Sequence, residues 1–325
     1  MQDHQTTTDG SSIRPQKSPE AGYAFYRRYW IYQRERFPLF GYLPMVGAFT
    51  LSAISYSQIC RGGGGSFSLR IFCVGYFTAF VLFLLLRLFD EFKDAEEDAK
   101  YRPYRAVPRG VVSFCELRWA IVLSFGMTLL LNGVLLPQML PLLLVALAYI
   151  LIMWREFFAP DWLRRHPVAY MLTHMMILPV SDFYTSGLDW HLAKASIPTG
   201  MMVFLVMTFC NGIVIEVGRK IRPPEEEETG VTTYSALWGA HRATWIWLGV
   251  ITTTFGLAMI CCHQGGYLMQ ASPLLLIAYV GCIMPAIIFL RKNAFYKKIE
   301  LTSGLWTIAM YLIVGVFPRL IGLKG

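Results

Sequence analysis

The chain is built around apolar runs, each near the ~20 residues that a helix needs to cross the hydrocarbon of a bilayer. Nine such runs can be placed, at about 37–59, 71–89, 117–136, 138–154, 167–186, 198–218, 243–263, 271–290 and 301–321. Of the 325 residues, 55% are hydrophobic and only 15% charged, and the mean hydropathy is +0.46. That balance is foreign to ordinary soluble domains, so the sequence predicts an all-α, polytopic bundle of nine transmembrane helices. Pro137 marks a sharp turn between the third and fourth runs. Pro103, Pro108, Pro160, Pro223 and Pro224 fall in loops, whereas Pro179 and Pro285 fall inside runs, where kinks are expected and tolerated.

Charge supports the count independently. Arg27, Arg28, Arg34 and Arg36 precede the first run. Loop 2–3 carries Lys93, Lys100, Arg102, Arg105 and Arg109, and loop 4–5 carries Arg155, Arg164 and Arg165. Loop 6–7 adds Arg219, Lys220, Arg222 and Arg242, and loop 8–9 adds Arg291, Lys292, Lys297 and Lys298. The alternate loops hold few cations, so the positive-inside rule places the N-terminus and both acidic loops in the cytosol. The net charge of +8 therefore reads as membrane orientation. Nucleic-acid binding is not expected, because apolar runs separate the basic clusters.

Residues 1–22 are polar and lack an apolar core, which predicts a disordered tail and not a signal peptide, with residues 23–325 forming one transmembrane domain. Tyr23 to Arg36 mixes aromatics with arginines, as an interfacial helix does. Seven cysteines are scattered without metal-ligand spacing and read as apolar fillers. Nothing in the sequence points to a protein partner.

Where the second run ends, Asp90, Asp94 and Asp98 follow one another at four-residue intervals. On a helix each such step turns about 40°, so the three carboxylates fan across one face. Clustered acids at a membrane boundary are costly unless cations bind them, and carboxylate oxygens suit Mg²⁺ completed by phosphate oxygens. Arg102, Arg105 and Arg109 behind them could hold a diphosphate through multidentate contacts. At the end of the sixth run, Glu216 precedes Arg219 and Lys220 at the spacing for intrahelical pairs. It either closes the helix end as a salt bridge or joins metal and diphosphate binding with those two cations. Glu225 to Glu228, after Pro223 and Pro224, read as a solvated loop or as spare metal ligands.

The stretch Asp90-Glu-Phe-Lys-Asp94-Ala-Glu-Glu-Asp98-Ala-Lys-Tyr-Arg102-Pro-Tyr-Arg105-Ala-Val-Pro108-Arg-Gly110 resembles the first aspartate-rich motif of the UbiA superfamily of intramembrane prenyltransferases. The likeness covers residues from about 35 to the end. Two departures stand out: Asp90 replaces the family's asparagine, and Glu216-x-x-Arg219-Lys220 stands where the family has a second Asp-x-x-x-Asp. The resemblance implies a UbiA-like bundle, an isoprenyl diphosphate substrate within the lipid bilayer, and Mg²⁺ held by Asp90, Asp94, Asp98 and Glu216. Catalysis would rest on Asp94, Asp98 and Glu216, and diphosphate binding on Arg102, Arg105, Arg109, Arg219 and Lys220.

Divergent motifs of this kind are similar to the terpene cyclase branch of the superfamily, including fungal enzymes that make cyathane-type skeletons. The expectation is thus cyclisation of an isoprenyl diphosphate, geranylgeranyl diphosphate being favoured, with transfer to an aromatic or other acceptor as the alternative. Phe89, Phe92, Phe183 and Tyr184 lie near charged positions and are candidates for stabilising cations. His174 and Asp182 share a face of the fifth run, and Asp182 is a candidate cavity acid. A membrane transporter is the remaining class, favoured by Pro179, Pro285 and intramembrane Asp182. The absence of an internal repeat, and acids grouped at one face, weigh against it.

Overall fold

A computed structural model describes residues 18–63, 68–292 and 296–322. Residues 1–17 of the expected tail, and Gly64 and Gly65 of a four-glycine turn, lie outside the described residues. Among the described residues every regular element is helical. In chain order these are α1 (Phe25–Arg36), α2 (Leu39–Cys60), α3 (Leu69–Lys93), α4 (Ala95–Tyr101), α5 (Phe114–Leu135), α6 (Leu140–Trp154), α7 (Pro160–Arg165) and α8 (Pro167–Met175). There follow α9 (Ile177–Trp190), α10 (Met201–Gly218), α11 (Tyr234–Trp238), α12 (Ala240–Gln264), α13 (Leu268–Lys292), α14 (Tyr296–Tyr311) and α15 (Phe317–Leu320).

Eight helical segments among the described residues are long and apolar enough to cross a membrane. They coincide with eight of the nine expected runs. The ninth, at 167–186, is not one helix but two, α8 and α9, meeting at Met176. Pro179 explains the break. It has no N–H to offer the carbonyl of Met175, and its ring crowds that carbonyl, so a straight helix cannot pass. Pro285, in contrast, sits inside a continuous α13. Pro137 opens a one-turn 3₁₀ segment between α5 and α6, as its position suggested.

Local signals set the helix starts. Ser113 and Glu116 cap α5 reciprocally: the Ser113 backbone N–H donates to Glu116 Oε2 at 2.8 Å, and the Glu116 N–H donates to Ser113 Oγ at 3.3 Å. Helix α1 lies across one end of the bundle. Arg28 pairs with Glu116 at 2.6 Å, and Arg36 pairs with Glu91 of α3 at 2.5 Å. Its other side leaves Phe25, Tyr26 and Trp30 exposed.

The core divides into three packed groups, of which a small one sets Ile31 and Tyr32 of α1 against Ala106, Val111 and Leu117, and two are large. One joins α2, α10, α12, α13 and α14 around Trp247, Trp306 and Phe204; the other joins α3, α6 and α9 around Leu82, Leu85 and Tyr184. In lipid such contacts rest on close packing and interhelical hydrogen bonds. Trp247 Nε1 donates to Ser303 Oγ at 2.9 Å, and Tyr184 donates to Asn132 Oδ1 at 2.6 Å, with Asn132 Nδ2 donating to Thr78 at 2.9 Å. The last span carries a π-helical turn over Leu312–Val316. A side chain at Gly315 would collide with the Ser52 backbone, so glycine is what lets this turn touch α2. Tyr267 donates to the Val314 carbonyl of that turn at 2.5 Å.

α2 and α9 finish at the end of the bundle opposite α4. There Asp189 accepts from Arg61 at 2.7 and 2.8 Å and from Ser57 at 2.6 Å. Asp189 is thereby neutralised by Arg61.

Candidate diphosphate site

At the other end the loops that follow α3 and α10 meet. Tyr104, behind α4, donates to Glu228 at 2.9 Å. Gly230, at φ +80°, seats against the ring of Tyr101, where a Cβ would come within 2.5 Å. The two acidic loops therefore share one face of the bundle, as the charge pattern required.

The three aspartates of the motif occupy different surroundings. Asp90, in the last turn of α3, is about a third exposed and has only distant cations, Lys93 at 3.6 Å and Arg87 at 3.8 Å. Asp94 ends the helix and has no short ion pair. Burial, with Asp90, Asp98 and Glu97 adding to it against Lys93, pushes its carboxyl up to about 6. Asp98 is buried and saturated. Arg105 donates to both its oxygens at 2.7 and 2.9 Å, Arg102 Nε lies at 3.0 Å, and Arg36 Nη2 at 3.7 Å. Arg102 also pairs with Glu97. Arg109 is turned away from this group, toward Glu20 and Glu35 at 2.9 Å each.

Glu216 is also saturated. It is 4% exposed, with Arg219 at 2.5 Å and Lys220 at 2.9 Å. Of the two roles open to it from sequence, the helix-end salt bridge is the one present. Burial opposes the charge on Arg219, while Glu216 and then Asp90 hold it, and the guanidinium is raised above its usual range. The Lys220 carbonyl accepts from the Tyr234 N–H at 3.1 Å, which ties α11 to the same place. Glu227 is taken by Thr233 and Ser235, each donating at 2.6 Å, and Glu228 by Tyr104 and Arg222. A recess of about 420 Å³, lined by Arg222, Pro223, Glu225 to Glu228 and Glu300, opens beside this loop.

A narrow apolar crevice opens next to Asp90, between Leu86, Phe89, Ile150, Met153 and Trp154, with Lys93 at its rim. Phe89 also stacks near Trp154, Phe92 near Phe114 and Phe183 near Trp190, while Tyr184 is engaged with Asn132. Of the four aromatic candidates, only Phe89 lines the crevice beside an acid.

Deeper in the bundle lie polar groups that short motifs do not reveal. Tyr311 donates to Asp182 Oδ2 at 3.2 Å, and Thr307 donates to Asn211 Oδ1 at 3.3 Å. Asp182 Oδ1, Asn211 Nδ2 and His174 Nε2 are buried without a hydrogen-bond partner. His174 Nδ1 lies 2.8 Å from the Tyr170 carbonyl, which fixes the proton there and leaves the lone pair on Nε2. Tyr170 in turn accepts from Lys93 at 2.7 Å. Arg36 and Glu91 were missed from sequence as well. The signal available was a buried-looking arginine on an interfacial helix, which has no partner in its own segment.

No family model matches the sequence, and no curated protein sequence does. Two solved structures match the fold. One is a UbiA homologue from Aeropyrum pernix K1, with 14% identity, TM-score 0.63, 86% of this chain and 98% of that one covered. The other is a digeranylgeranylglyceryl phosphate synthase, with 11% identity, TM-score 0.57, and 89% and 98% covered. The chain has the UbiA fold. At these identities the likeness is one of architecture, and it agrees with the expected all-α polytopic bundle.

That fold implies Mg²⁺, and the side chains divide on whether they fit it. Asp90 and Asp94 do: both are carboxylates, and neither has an ion pair shorter than 3.6 Å. Asp98 and Glu216 do not, because their oxygens are already bound by arginine and lysine. Among the described residues no three His, Cys, Asp or Glu side chains converge on one point.

Proposed function

We propose that the protein is an intramembrane enzyme that ionises an isoprenyl diphosphate at this end of the bundle and passes the prenyl group to an acceptor held between the spans. The observation that carries the reading is the contact between the loops behind α3 and α10, which brings Asp90, Asp94, Arg219 and Lys220 to one face of the bundle, beside an apolar crevice. Asp90 and Asp94 would hold Mg²⁺, which when bound neutralises charge developing on the departing diphosphate. Arg219 and Lys220 would grip the phosphate oxygens through charged hydrogen bonds. Arg102 and Arg105 act through Asp98, fixing the shape of the loop behind the site. Phe89, Met153 and Trp154, packed beside Asp90, would keep water from the reacting carbon.

Transfer is favoured over cyclisation by buried side-chain atoms on the spans that lack partners. An acceptor bearing hydroxyl groups can satisfy Asp182 Oδ1, Asn211 Nδ2 and His174 Nε2, whereas a folding hydrocarbon cation leaves all three unpaired. The architecture shared with a digeranylgeranylglyceryl phosphate synthase supports the same choice. Cyclisation is the second reading, favoured by the replaced second acidic motif. In the orientation that the basic loops favour, the site opens to the cytosol.

The test is incubation of membranes holding the protein with ten-, fifteen- and twenty-carbon diphosphates and Mg²⁺, with and without a hydroxylated aromatic acceptor or a total lipid extract. Diphosphate release that needs an acceptor, strongest with geranylgeranyl diphosphate, is the expected outcome. Hydrocarbon products without acceptor would replace transfer by cyclisation. No release from any of the three would sink both.

A further inference from the structure

The end of α10 is organised around a carboxylate that has no room for a metal. Glu216 is buried, Arg219 binds one of its oxygens through Nε at 2.7 Å and Nη2 at 2.5 Å, and Lys220 Nζ lies 2.9 Å from the other. A divalent ion at this carboxylate would have to displace both cations and then sit beside them. The group as it stands carries one net positive charge. Half of the Arg219 side-chain surface is open, against 5% for Glu216. Arg219 is therefore both fixed by Glu216 and open to a ligand. The open part of the guanidinium lies at the face that the loops behind α3 and α10 share.

The geometry points to a diphosphate site with one exchangeable metal: we infer that Arg219, oriented by Glu216 and backed by Lys220, takes the place of a second divalent cation. This rests on the diphosphate reading above. A guanidinium suits the task, since its planar fork meets phosphate oxygens with several hydrogen bonds and stays charged at every working pH. Glu216 is then a positioning residue. It compensates two adjacent cations at the end of a helix and aims one of them at that face. Asp90 and Asp94 hold the only metal, and the anion lies between that metal and Arg219.

The experiment counts metal ions. Purified full-length protein in nanodiscs is titrated with Mn²⁺ in the presence of inorganic diphosphate, by equilibrium dialysis and by the electron paramagnetic resonance of the bound ion. One Mn²⁺ per chain without Mn–Mn coupling is the expected result. Two coupled Mn²⁺ per chain would overturn the inference while leaving the diphosphate reading intact. No diphosphate-dependent Mn²⁺ binding would overturn the diphosphate reading, and this inference with it. Glu216→Gln and Arg219→Gln are each expected to keep the single Mn²⁺ while weakening diphosphate binding about tenfold or more. Loss of a metal ion in Glu216→Gln would make Glu216 a ligand and reverse the assignment.

Discussion

The ends of α3 and α10 share one face of the bundle and solve the same electrostatic problem in opposite ways. A helix C-terminus carries partial negative charge and disfavours acids in its last turn. At α10 the sequence places Arg219 and Lys220 just past the end, so Glu216 is compensated before any ligand arrives. At α3 it places Asp90 and Asp94, and only Lys93 and Arg87 stand near, at 3.6 Å or more. Eight residues beyond Asp90, Asp98 has all the cations that the other two lack. The lesson is that acid count does not define a metal site. What defines it is which carboxylates the protein leaves without a short ion pair.

The largest effect that can break this comparison comes from Asp94 and Asp98. Both Asp94→Ala and Asp98→Ala should lower turnover by about 10³-fold or more, with the protein still in the membrane, because the first removes a metal ligand and the second the carboxylate that fixes the loop behind the site. They should differ in how. Asp94→Ala is expected to lose Mn²⁺ binding and to keep its melting temperature. Asp98→Ala is expected to keep Mn²⁺ and to lose stability, on the order of 3–5 kcal/mol, since Arg36, Arg102 and Arg105 are left around an empty place. Metal binding lost in Asp98→Ala and retained in Asp94→Ala would invert the division drawn here.

That division was only half visible in the sequence. The bundle, eight of its spans, the shared face of the two acidic loops and the residues of the charged end follow from apolar run length, loop charge and four-residue spacing. Spacing says which side chains share a face but not what meets them from another helix. Asp98 looked like Asp94 because both repeat at the same interval. Its fate is set by Arg36, some sixty residues earlier on α1, and by the fold of the Arg102–Arg105 turn. Arg109 looked like a third phosphate ligand for the same reason, yet Glu20 and Glu35 hold it. The fifth run read as one span because hydropathy does not register the carbonyl that Pro179 leaves without a donor. The pairing of Glu216 was legible, since both partners lie within one helical turn.

A smaller effect is expected at the α10 end. Glu216→Gln should lower turnover by about 10- to 100-fold, the usual scale when a group that orients a ligand is lost. The loss should appear at saturating Mg²⁺ and should not be rescued by adding more, because the cation left without its carboxylate is Arg219. Glu216→Asp, which keeps the charge and shortens the arm, should recover part of the rate. A Glu216→Gln protein restored to full rate by high Mg²⁺ would show that a metal ion sits there after all, and the contrast between the two helix ends would vanish.

The smallest effect is the pH dependence of metal binding. Asp94 titrates at about 6, above the ordinary range of an aspartate, chiefly because burial disfavours its charged form and the neighbouring acids add to this. A metal ion must compete with that proton. Below pH 6 the carboxyl is protonated, and Mn²⁺ affinity should fall by about tenfold per pH unit; above pH 7 it should be flat. Asp94→Asn removes the titrating group, so its residual Mn²⁺ affinity should show no step at pH 6. Glu216→Gln should leave the midpoint unchanged, since no proton is exchanged at a carboxylate that Arg219 and Lys220 already neutralise. A midpoint that moves in Glu216→Gln and stays in Asp94→Asn would place the metal on α10 and leave α3 with the anion.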